Sequence, residues 1–137
     1  MKQVALCAVV VALLVAGCGD DNATPTTPST STGPATETFS SRLTVQGSAW
    51  RLVTASQAGT LSAKLTTASQ PSTIVGFGIG IQNGSTTGCL LHSQVRVTAG
   101  ASPQVDARVD PGVYCIKIFD VGTLTDSMGF TITIVRP

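Results

Sequence analysis

Charge and aromatic rings are scarce in this 137-residue sequence: charged residues make up 11% and aromatics 4%, with one tryptophan, one tyrosine and one histidine. The shortage of basic residues rules out a patch that could neutralise a row of phosphates, so nucleic acid is not an expected partner. The formal net charge is +1, and it falls to zero once Lys2 is set aside with the leader described below. His92, the sole histidine, has no Gly-x-Ser-x-Gly elbow to serve, and acid–base chemistry lacks its commonest group elsewhere in the chain. Neither a catalytic set nor a cofactor is expected. Long apolar runs are also missing. The longest, Val4 to Ala16, holds about 13 residues, short of the roughly 20 a transmembrane helix needs. No stretch carries a convincing amphipathic helix period. Thr, Ser, Gly and Val are abundant instead, a balance that favours strands and turns.

The start of the chain has the order of an export signal. Lys2 is followed by the uncharged run Val4–Ala16 and then by small residues, as in a secretory leader. Leu14-Val15-Ala16-Gly17-Cys18 resembles the lipobox of bacterial lipoproteins. That resemblance implies a diacylglyceryl thioether on Cys18, cleavage before it and acylation of the new amino group. Two or three acyl chains hold a protein on a bilayer, because each buried CH₂ contributes about 0.8 kcal/mol while one chain alone is marginal. Residues 1–17 are therefore expected to be a lipoprotein signal peptide. The expected location is the cell envelope, with membrane attachment through lipid and the outer membrane favoured over the inner.

Residues 18–38 form the expected lipidated N-terminus and linker. Pro25, Pro28 and Pro34 lie among Thr and Ser with almost no apolar residue, so the segment cannot bury enough surface to offset its ordering entropy. From Phe39 to Pro137 the pattern becomes short alternating runs: Leu43-Val45, Trp50-Leu52, Leu61-Ala63-Leu65, Val75-Phe77-Ile79-Ile81, Val95-Val97, Val105-Ala107-Val109, Tyr114-Ile116-Ile118 and Phe130-Ile132-Ile134. A period of two puts each set on one face of a half-buried strand. Gly47, Gly59, Asn83-Gly84, Gly100, Pro111-Gly112 and Gly122 punctuate the runs. The expected fold is all-β: an antiparallel β-sandwich of about eight strands over residues 39–137.

The turn and strand Asp110-Pro111-Gly112-Val113-Tyr114-Cys115-Ile116-Lys117-Ile118 resemble the late hairpin of bacterial pre-peptidase C-terminal domains. Gly47–Val53, Gly59–Leu65 and Phe130–Ile134 fit the same succession of strands. The resemblance implies a jelly-roll-like sandwich, usually accessory to secreted peptidases and sometimes a binder of calcium, collagen or polysaccharide. The chain departs from the pattern at Gly76-Phe77-Gly78-Ile79-Gly80-Ile81, where an acidic residue often opens the central strand; calcium and collagen are not carried over.

Once Cys7 leaves with the leader and Cys18 is acylated, Cys89 and Cys115 remain, and an even pair in an exported domain reads as a disulfide. Cys115 lies between inward Tyr114 and Ile116, so its thiol is expected on the outer face. Cys89, His92 and Cys115 can also be drawn as zinc ligands. They lack the close pair and the fourth ligand of a zinc site, and an oxidising compartment favours the disulfide. Gly76–Gly80 imitates a dinucleotide fingerprint, but no helix follows it. Its simpler meaning is a strand whose bare outer face lets another backbone approach closely. Asp106, Asp110, Asp120 and Asp126 are too scattered for a calcium loop. Arg42, Arg51, Arg96, Arg108 and Arg136 read as a solvated set. The functional expectation is a non-catalytic binding or interaction module with a polysaccharide or envelope-protein partner. The alternative is a structural or assembly component of the envelope without a soluble ligand.

Overall fold

The computed structural model describes residues 33–84, 88–100 and 102–137. Cys18, the proposed lipid site, and the leader lie outside the described residues, as does most of the linker. Eight strands make up the described region: β1 (Ala35–Leu43), β2 (Ser48–Ala55), β3 (Gly59–Ala68), β4 (Val75–Gln82), β5 (Cys89–Val97), β6 (Val105–Val109), β7 (Gly112–Asp120) and β8 (Met128–Arg136). No helix occurs among the described residues.

The strands form two antiparallel four-stranded sheets, in the orders β1-β8-β3-β6 and β2-β7-β4-β5. Successive strands change sheet at every connection except β4 to β5, which is the jelly-roll arrangement. The alternating runs explain how such a topology closes. Leu61, Ala63 and Leu65 of β3 face the same interior as Val75, Phe77 and Ile79 of β4, Ile116 and Ile118 of β7, and Met128, Phe130, Ile132 and Ile134 of β8, and all are buried. Phe39 meets Phe130 edge to face, with ring centroids 5.3 Å apart and planes at 86°. That arrangement sets the positive ring edge of one aromatic against the negative face of the other. Leu124, in the β7–β8 connection, is buried with the same core.

Two expectations are corrected. The first strand opens at Ala35, not at Phe39, so Ala35–Thr38 belong to the sandwich and not to the linker. They pair with Thr133–Arg136 of β8, and this ladder supplies hydrogen bonds that the apolar content of the segment does not advertise. Glu37 consequently shares the inner face with Ile134, and its Oε1 is buried without a hydrogen-bond partner. The second correction concerns β2. Trp50 and Leu52 lie on its outer face, opposite Lys117 and Cys115, while Val53 and Ala55 enter the core. On this edge strand the small residues fill the narrow interior and the large ones stay outside. Arg51, on the inner side, escapes at the open edge, where its guanidinium donates to the Thr38 carbonyl.

Side chains complete the backbone pairing where strands end. The β3–β6 ladder ends at Ala63, opposite Val105. Gln104 carries the pairing one step further: its Oε1 accepts from the Leu65 N–H at 2.7 Å and its Nε2 donates to the Thr98 carbonyl at 2.7 Å. Asp120 does the same at the opposite turn. One carboxylate oxygen accepts from the Gln46 N–H, and the other from the N–H groups of Gly122, Thr123 and Leu124. These donors, Gln46 first, hold the Asp120 carboxyl below its ordinary pKa against an opposing desolvation.

Candidate binding recess

The site is built outward from β4. Its inner residues Val75, Phe77 and Ile79 are core, so Gly76, Gly78 and Gly80 form its outer face between β5 and β7. Cys115 of β7 stands opposite Gly80, and Cys89 of β5 stands opposite Gln82. The two cysteines are disulfide-bonded with their Cα atoms 5.8 Å apart. Strands separated by a third normally lie roughly 9.5 Å apart, twice the neighbour spacing. The head of β5 is therefore drawn across the outer face of β4. A Cβ on Gly80 would collide with the Leu90 carbonyl and one on Gly78 with the Ser93 carbonyl, while the Phe119 ring covers Gly76. The glycine alternation thus has the role expected of it, close approach by a second backbone. Both sulfurs occupy the outer face, as expected, yet they are shielded: Cys115 is fully buried and Cys89 nearly so.

Drawing β5 over β4 costs the ladder one residue of register. Ser93 pairs with Ile79 and Leu91 pairs with Gly80, leaving His92 as the extra residue between them. A bulge of this kind bends the strand and re-aims the side chain it carries. His92 lines a recess of about 280 Å³ together with Ile79, Gly80, Ile81, Arg108 and Tyr114. Arg108 comes from β6, the edge strand of the opposite sheet, so the recess opens where the two sheets' edge strands face each other.

No protein family and no curated protein matches this chain. The chemistry of the recess is therefore read from its own residues.

Its floor is apolar and its rim is polar. Leu90, Ile81 and Tyr114 sit side by side in register across β5, β4 and β7, on the face that elsewhere meets the core. Leu90 is 54% exposed and Ile81 41%, so this end of the face forms a ledge open to water. Tyr114 is held in place by its hydroxyl, which donates to the Asp110 carbonyl at 3.0 Å and accepts from the Asp110 N–H at 3.1 Å. Neither the His92 nor the Arg108 side chain has a hydrogen bond or ion pair among the described residues. Arg51 and Arg136, by contrast, are bonded to the backbone carbonyls of Thr38 and Thr54.

Sequence reasoning placed the disulfide but not the recess. In the linear chain His92 is a lone histidine with no nucleophile motif to serve, and Arg108 is one of five arginines read as a solvated set. Only pairing across two sheets brings them together, and the bulge that turns His92 has no signature in the linear chain. The zinc drawing of Cys89, His92 and Cys115 gives way to the disulfide, which joins the two sulfurs to each other. Among the described residues no group of three or more His, Cys, Asp or Glu side chains is placed to hold a metal ion. Other depressions are of different character. One of about 110 Å³ beside Lys64, Pro103 and Val135 lies on the outer face of the first sheet, and one of about 240 Å³ lies beside Arg96 and Phe119.

Proposed function

We propose that this chain is a bacterial envelope lipoprotein, anchored through acyl chains on Cys18, that displays its β-sandwich as a non-catalytic binding module of the pre-peptidase C-terminal type for a polysaccharide or protein partner. The observation that carries the binding reading is the open recess, whose Arg108 and His92 side chains have no hydrogen-bond or ion-pair partner among the described residues. A side chain recruited for stability would be tied down, as Arg51 and Arg136 are. The anchor reading rests on the leader and on Cys18.

Two measurements test it. Cells fed an alkyne palmitate should label the wild-type chain and not Cys18→Ser, with the label partitioning into the detergent phase. Crosslinking in whole cells, followed by a glycan array on the purified chain, should return a saturable ligand. Fixed envelope partners seen only in intact membranes, with no soluble ligand, would favour the structural alternative.

A further inference from the structure

We propose that the recess beside the β5 bulge takes an acidic sugar, the uronate unit of an extracellular polysaccharide. This assignment rests on the binding-module reading above and names its ligand class. The recess holds roughly one monosaccharide ring, below the range of about 300–1,000 Å³ usual for drug-sized ligands. Its two sides ask for different things of that ring. Ile81 and the Tyr114 ring present an apolar surface suited to the C–H face of a pyranose. Across from them Arg108 offers a planar fork of donors that matches a carboxylate bidentately. His92 adds a further ring-nitrogen donor or acceptor for a neighbouring hydroxyl. A neutral sugar would use the ledge but leave the guanidinium unanswered.

A peptide is the poorer fit. Extended peptides gain affinity by adding a strand to a sheet edge. Two edges border the recess: β5, which bulges at His92, and β6, which offers only the five residues Val105–Val109. A sugar needs no such ladder. The positioning of Tyr114 by Asp110 keeps the aromatic ring in place before any ligand arrives.

The test titrates the full-length chain, in detergent, with trigalacturonate, with its carboxyl-reduced trisaccharide, and with the tripeptide acetyl-Ala-Ala-Ala bearing a free carboxylate. Calorimetry reads affinity, and the His92 and Tyr114 ring resonances read location. Trigalacturonate should bind and shift both resonances, and the reduced trisaccharide should bind at least tenfold more weakly. Arg108→Gln should cost tenfold or more, with Arg108→Lys between it and wild type. Both substitutions are at an exposed position, and an unchanged unfolding midpoint verifies the fold. Equal binding of acidic and reduced sugars, or binding indifferent to Arg108→Gln, overturns the uronate assignment and leaves the binding-module reading standing. Preference for the tripeptide also overturns it. If no probe binds while the chain is still lipidated and crosslinks only to membrane partners, both readings fall.

Discussion

Two polar side chains, Gln104 and Asp120, hold segments that strand pairing leaves open, and their energetics differ because their charges differ. Gln104 is neutral and partly buried, and its amide satisfies one donor in β3 and one acceptor at Thr98. Gln104→Ala leaves the Leu65 N–H without its acceptor. We expect it to lower unfolding free energy by about 1–3 kcal/mol, the cost of an unmet buried group, read from urea denaturation with unchanged slope. Asp120 is charged and solvated, so its contribution is seen best through pH. Its folded-state pKa lies below the unfolded value, so the stabilisation is fully present above about pH 4 and fades as pH falls through the folded pKa. Wild type should therefore be more stable than Asp120→Ala at neutral pH, with the gap narrowing steadily under acid. A gap constant from pH 7 to pH 2 would show that the carboxylate's charge contributes nothing. Asp120-Val121-Gly122-Thr123 hints at such a side-chain-capped turn in the sequence, but not at its long-range donor, Gln46.

Among the elements, β4, β5 and the disulfide act as one unit. The chain-entropy argument gives a loop of 26 residues about 3.5 kcal/mol of stabilisation, so Cys89→Ala/Cys115→Ala should lose roughly that much. Gly80→Ala pushes a methyl group into the Leu90 carbonyl, a backbone atom that cannot swing aside. A cost of about 1–3 kcal/mol is the ordinary result of such overpacking. If the disulfide is what holds β5 across β4, its removal lets the strand retreat and relieves the added methyl. The two changes should then cost less together than the sum of their separate effects, by at least 0.5 kcal/mol or so in a double-mutant cycle. Strict additivity would mean that β5 is held over Gly80 by its ladder alone. The sequence signalled both halves of this unit, the paired cysteines and the bare glycine face. It did not signal that one explains the other, because that link is a distance across a third strand.

At the scale of the whole molecule, each alternating run but Leu43-Val45 found its strand, since period two is what a sheet with one buried face imposes. Strand β1 ends at Leu43 and leaves Val45 exposed in the turn. The exceptions lie at the margins: β1 begins before its first large apolar residue, β2 turns Trp50 outward, and the recess depends on pairings between residues far apart in sequence. The topology also bears on folding. Only β4 and β5 are consecutive strands of one sheet, so nearly every ladder must close a long loop before it gains any contact. Chains dominated by such pairings fold in milliseconds to seconds, slower than helical bundles. The disulfide shortens one of these searches by keeping β5 and β7 together on either side of β4 even in the unfolded chain. Stopped-flow refolding should therefore be faster for the oxidised chain than for the reduced one if β5, β4 and β7 assemble in the transition state. If they assemble afterwards, refolding rates will match and the disulfide will instead slow unfolding. The sandwich would then nucleate on the first sheet, where β3 and β8 pair without help from any covalent link.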